Sequence, residues 1–330
     1  MLGAAVGASP CPPASGPTRG RRYIPDRTSR LDIDTLIGCL SSTACIVTHA
    51  TSGLIIGLLL FLVAVGLTLI FGVLKIVNFA HGAFYMLGAY FALTVVQFTD
   101  SYLLAVLGAA AGTAAVGLVF ERLFISQVYG RNVLMQLLVC YAFVLIFDDL
   151  VRIIWGSEFR SMGMPERFQG PPFFIAGGVV PQFYLFLIVV TLAIAAALGL
   201  ALARSWLGKT VRAAAINPGM VSALGINTEL LYGLVFALGG LLAGLAGALA
   251  APVRSLTPGM GFSVLIESFI VTVIGGMGSI LGALVGAILI GLIRSFGSLG
   301  FPLFTDGLMY LFMIIILVAK PTGLFGRPVT

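Results

Sequence analysis

The run from Gly53 to Leu74, GLIIGLLLFLVAVGLTLIFGVL, carries no charged residue. At about 1.5 Å of rise per residue, roughly 20 apolar residues in a helix cross the ~30 Å hydrocarbon core of a bilayer. Further apolar stretches follow at 79–97, 102–120, 132–154, 182–203, 229–251, 262–277, 279–296 and 303–319. Backbone polar groups inside lipid must be satisfied within the spanning structure, and these stretches are too long for barrel strands. The pattern predicts an all-α fold: a polytopic transmembrane helix bundle of about eight to nine membrane segments, some of them broken or re-entrant. The chain is 59% hydrophobic and only 9% charged, against about 25% charged in soluble domains. Small-residue pairs at four-residue spacing (Gly53 with Gly57, Gly108 with Gly112, Gly240 with Gly244, Gly282 with Gly286) predict close helix approaches.

The formal net charge of +6 does not point to nucleic acid, because the basic residues lie between apolar runs. Placing the loop with Arg122 and Arg131, the loop 204–228 with Arg204, Lys209 and Arg212, and the tail with Lys320 and Arg327 on the cytoplasmic side satisfies the positive-inside rule. The connections 98–101, 155–181 and 252–261 then face outward. Residues 1–30, rich in Pro, Gly, Ser and Arg, lack the order of a signal peptide and are expected to be disordered. They are either a functional tail or the product of an over-extended gene start. Residues 31–50 form an interfacial helix or a weak first span, and the five arginines at 19–30 sit on the outer side unless that segment crosses. This divides the chain into an N-terminal extension, 1–50, and a transmembrane domain, 51–330. Cys11, Cys39, Cys45 and Cys140 show no metal-ligand spacing; all four are expected as free thiols, with no metal bound.

Four polar features interrupt the apolar pattern. The first is the island KTVRAAAINPGMVSALGIN, 209–227. Asn217 before Pro218 is a helix-capping signature, and Gly225 suits a left-handed stop. Two short helices, to Ile216 and over 218–224, are expected to form a knob, with Met220, Val221 and Leu224 as an apolar stripe. The knob either docks a partner or lies on the bilayer. The second is Asn78-Phe79-Ala80-His81-Gly82, where Asn78 can cap the next helix. Asn78 and His81 either face a pathway or satisfy neighbouring backbone. The third comprises Asp148, Asp149, Arg152 and Glu267. Asp148 and Arg152 stand four residues apart and can pair; Glu267 interrupts an apolar segment, and either pairs with Arg254 or lines a polar mouth. The fourth is Gly275-Gly276-Met277-Gly278, which is either a pathway-lining break or a turn between spans.

No glycine loop ending in Lys-Ser/Thr and no nucleophile with a base appears. No cofactor or enzymatic activity is expected, and ATP, if used, is bound by another chain.

Four motifs, in order, resemble the permease subunits of branched-chain amino acid ABC transporters: GLTLIFGVLKIVNFAHGAFYMLGAY at 66–90, GKTVRAAAINPGMVSALGIN at 208–227, VIGGMGSILGALVGA at 273–287 and KPTGLFGR at 320–327. The resemblance covers about 53–327. It implies a bacterial cytoplasmic (inner) membrane importer that works with two ATP-binding cassette subunits, a second permease chain (the same or different) and a periplasmic or extracellular substrate-binding protein. It implies that Arg212, Ala213, Ala214, Ala215, Asn217 and Gly225 belong to the ATPase-docking loop. Asn78, His81, Glu267, Gly275 and Gly276 are candidates for the translocation path. Arg212 stands where the wider ABC loop has an acidic residue, a mark of the branched-chain subgroup. Urea or short amides are the alternative substrates. An ATPase-independent secondary transporter is the rival mechanism, with Glu267 as its ion-coupling carboxylate.

Overall fold

The computed structural model describes residues 33–326. The helices are α1 (Ile33–Leu40), α2 (Thr43–Leu74), α3 (His81–Thr99), α4 (Tyr102–Phe120), α5 (Val133–Trp155), α6 (Gln182–Arg204), α7 (Trp206–Ile216), α8 (Pro218–Ala223), α9 (Thr228–Ala250), α10 (Met260–Gly275), α11 (Ile280–Gly300) and α12 (Thr305–Ala319). Among the described residues, seven helical segments are long and apolar enough to cross a membrane. The 16-residue α10 is a shorter apolar helix, and α5 is apolar apart from Gln136 and the charges near its C-terminal end. Together these match the expected segments closely.

The centre is α2, packed against α11, α9, α10 and α6. Its residues from Leu58 to Leu67 are almost all excluded from the surface, whatever side of the helix they lie on. A helix apolar all round belongs in the middle of a bundle. Small residues set the spacing. A Cβ added to Gly57 would lie 2.6 Å from the Ala287 carbonyl oxygen of α11, and one added to Gly88 of α3 would overlap the backbone of Gly244 in α9. With little hydrophobic drive between helices in lipid, such close backbone packing supplies much of the association energy.

Three features differ from the sequence-based expectations. Residues 43–50 belong to α2, so the boundary at 50/51 falls inside a continuous helix of 32 residues. Residues 33–40 form a separate eight-residue helix, too short to span a bilayer by itself, with Leu36 packed on Gly300 at the C-terminal end of α11. The extension 1–30 and its arginines lie outside the described residues. Cys39 and Cys45 are not free thiols but form a disulfide with a Cα–Cα distance of 5.2 Å; the turn between α1 and α2 folds the chain back and brings them together. Cys140 is free and buried, and Cys11 is outside the described residues. A two-stranded antiparallel hairpin, β1 (Phe173–Ile175) with β2 (Gly178–Val180), packs beside the start of α2. Its apolar strands are only three residues each, too short to register as periodicity.

Candidate functional site

The island folds as a double-helix knob. Ser205 caps α7 by accepting from the Gly208 N–H at 3.0 Å, and Asn217 caps α8 by accepting from Met220 N–H at 3.0 Å. α8 ends in a paired closure: Gly225 N–H donates to Ser222 O at 3.0 Å and Ile226 N–H to Val221 O at 3.3 Å, with Gly225 left-handed at φ 81°. Asn227 then caps α9 through Leu230 N–H. Arg212 donates to the Leu202 carbonyl in the last turn of α6, where a cation also suits the helix dipole.

The knob has two faces. Thr210, Val211 and Ala214 of α7 and Val221 of α8 point into the chain and are buried. Ala214 is therefore part of the knob's own anchorage; among the three alanines, only Ala213 is exposed and Ala215 is half-buried. The outer face presents Ile216, Met220 and Leu224, exposed by 82%, 61% and 74%. Ile216 was not singled out by its sequence, since its role depends on the angle between two helices. Beside the knob's end of the bundle, Glu121 is buried where α4 passes into a short π-helical turn, and accepts a 2.5 Å hydrogen bond from Tyr129. Burial and the neighbouring carboxylate push the Tyr129 phenol above its usual range.

The second feature is a helix break inside the bundle. Lys75 closes α2 in the left-handed region, φ 57°, a conformation that costs a non-glycine residue about 1 kcal/mol. Residues 75–80 then turn back along α2. His81, the first residue of α3, places Nε2 at 3.1 Å from the Val63 carbonyl oxygen. Val63 lies about 16 Å back along α2 from its end, at 1.5 Å per residue. A carbonyl only accepts, so Nε2 carries the proton and Nδ1 is a bare acceptor. Asn78 accepts from Ala80 N–H at 3.0 Å; the cap position itself falls on Ala80. Asn78 and His81 are fully buried, and Asn78 Nδ2 and His81 Nδ1 have no hydrogen-bond partner. Both residues thus brace neighbouring backbone, each with one polar atom left over.

Glu267 does not pair with Arg254. It forms an ion pair with Arg294 of α11, while Arg254, nearer the Tyr85 phenol, feels the Glu267 charge only through a longer gap. The signal for Arg294 was visible in the sequence: it is the lone charge in the 280–300 segment. Gly275 and Gly276 form a turn sealed from below by the tail. Leu324 N–H donates to Ile274 O at 2.8 Å and Phe325 N–H to Gly275 O at 3.0 Å, so the tail satisfies carbonyls that α10 leaves open at its end. A Cβ on Gly275 would overlap the backbone of Gly282. Asp148 and Arg152 pair as expected at 2.7 Å, and Asp149 shares the same guanidinium at 3.4 Å.

Fold and site together define a multi-pass membrane protein with a polar break, a buried ionic cluster and an exposed apolar knob. The chain belongs to the family described as branched-chain amino acid transport system / permease component, whose model matches residues 49–318. It is 32% identical over 290 residues to the high-affinity branched-chain amino acid transport system permease protein BraD of Pseudomonas aeruginosa, covering 84% of this chain and 94% of that one. It is 29% identical over 294 residues, with the same coverage, to the permease protein LivH of Salmonella typhimurium. LivH of Escherichia coli K12 is similar to the same extent.

Proposed function

We propose that this chain is the membrane-spanning permease subunit of an ABC importer, moving branched-chain amino acids inward across the cytoplasmic membrane. It pairs with a second permease chain, takes substrate from a separate binding protein, and is driven by two ATPase subunits that dock on the α7–α8 knob. The observation that carries the docking is the crest of Ile216, Met220 and Leu224. Each is apolar and exposed on a rigidly capped pair of short helices, carried on the basic loop that the positive-inside rule places in the cytoplasm. An exposed apolar patch on an ordered element marks an interaction surface. The knob inserts into the ATPase and transmits its closure to α6 and α9, which it joins directly. Arg212, Asn217 and Gly225 hold the knob's shape; Ala213 lies on its open side.

The test is the Ile216→Asp, Leu224→Asp double variant. Both positions are solvent-exposed within this chain, so the fold is retained. A buried charge at an interface core should abolish co-purification of the ATPase subunits and ATP-driven leucine uptake. Full coupling in that variant would remove the knob from the docking surface.

A further inference from the structure

In the half of the bundle away from the knob, a cavity of about 300 Å³ opens between α3, α5 and α10. This volume is at the lower end for small-molecule sites. Its walls are mainly apolar: Met86 from α3, Val144 and Leu145 from α5, Phe262 from α10. One charged group enters it, Asp148. The two carboxylate oxygens of Asp148 are in different situations. Oδ2 accepts from Arg152 at 2.7 Å, while Oδ1 is buried without a partner. The side chain as a whole is only 15% exposed. A buried acceptor left unmade is costly, and its persistence in a folded protein calls for an explanation.

Opposite Asp148 is Gly259, left-handed at φ 85°. A Cβ there would stand 3.9 Å from both carboxylate oxygens, in ordinary contact, so it is the left-handed backbone that calls for glycine and sets Gly259 directly before Asp148. The first turn of α10 follows at Gly261 and brings the positive end of a helix dipole to the same cavity. The loops beyond α5 and before α10 are tied together by two backbone hydrogen bonds between Arg160 and Leu256, of 3.0 and 2.8 Å. The two walls are therefore linked to one another at that end of the bundle.

Resting on the permease reading above, we propose that this cavity is a binding subsite for an apolar α-amino acid. The Asp148 Oδ1 atom accepts from the substrate ammonium, and Met86, Val144, Leu145 and Phe262 surround its side chain. Urea or a short amide would give no cation to Asp148 and no apolar surface to the walls. A metal cation would find one free carboxylate oxygen and no second anionic ligand among the cavity residues.

The test uses the full chain in lipid nanodiscs with Leu145→Cys as a reporter at the cavity wall, its labelling by a maleimide counted against the parent chain. Leucine should slow labelling, while 4-methylpentanoate, which lacks the ammonium, and urea should not. Asp148→Asn should raise the half-protecting leucine concentration about tenfold or more, the effect of losing one charge-assisted hydrogen bond. Val144→Phe, which fills the space and leaves the carboxylate intact, should do the same. Equal protection by leucine and 4-methylpentanoate, or no protection up to the solubility limit of leucine, overturns the proposal. This readout needs no ATPase. ATP-driven leucine uptake by the assembled complex tests the permease reading separately, so either can fail without the other.

Discussion

Replacing Glu267 with Gln keeps the shape of the buried ionic cluster and removes its only anion. The Glu267 side chain is 8% exposed and that of its partner Arg294 29%, while Arg254 feels the same carboxylate at longer range. The variant therefore strands two cations inside the bundle. Removing one member of a buried pair costs about 3–5 kcal/mol, mostly through the uncompensated charge left behind. The partial exposure of Arg294 puts the expected loss near the lower bound, about 3 kcal/mol. Arg294→Met should cost less, because Glu267 keeps Arg254 as a counter-charge. In the double variant Arg294 is no longer stranded, so its loss should fall short of the sum of the two single losses by about 1–2 kcal/mol. The assay is reversible unfolding of the purified chain in mixed micelles by detergent titration, run on all four members of the cycle. An ordinary neutral hydrogen bond within a membrane protein averages about 0.6 kcal/mol, so the two origins are separable by size. Additive losses within about 0.5 kcal/mol, or a larger loss for Arg294→Met than for Glu267→Gln, would rule out a stranded charge as the origin of the loss.

Gly88→Leu should destabilise the chain by roughly 1–3 kcal/mol through overpacking against Gly244, whereas Gly199→Ala, with open space around it, should be neutral or slightly stabilising in the same unfolding assay. Gly225→Ala places a side chain at φ 81° with nothing nearby to clash, so its cost is backbone strain alone, about 1 kcal/mol; the readout is faster proteolytic nicking between 217 and 226, and an unchanged nicking rate would contradict the left-handed closure. The Cys39–Cys45 disulfide lies at the end of the bundle opposite the knob. After treatment of intact cells with an impermeant reductant, an impermeant maleimide should label those two cysteines from outside; labelling that requires permeabilised cells would invert the assigned orientation.

Much of the architecture was legible in the sequence because the bilayer is an exacting solvent. It demands about 20 apolar residues per crossing and internal satisfaction of every backbone group, so the segment positions and the all-α class follow from composition along the chain. The knob was legible for a local reason: Asn217-Pro218 and Gly225 encode a cap and a stop whose hydrogen bonds close within a few residues. Which residues of the knob face outward was not legible. Ala214 reads like Ala213, yet one is buried and the other exposed, because the docking of α7 on its own bundle decides it.

The remaining elements depend on which helix lies beside which, and apolar segments of similar composition do not record that. Glu267 is visible as a costly carboxylate, but only the packing of α10 on α11 selects Arg294 over Arg254. His81 is visible as a polar residue near a break, but only the fold-back of 75–80 carries it to the Val63 carbonyl. Asp148 reads as a charge with a partner four residues on; the cavity before its free oxygen is made with α3 and α10, distant in sequence. Local rules of solvation and capping thus determined the segments and the shape of the knob. Tertiary packing alone decided the Glu267–Arg294 and His81–Val63 pairings and the cavity, because these come from contacts between residues far apart in the chain.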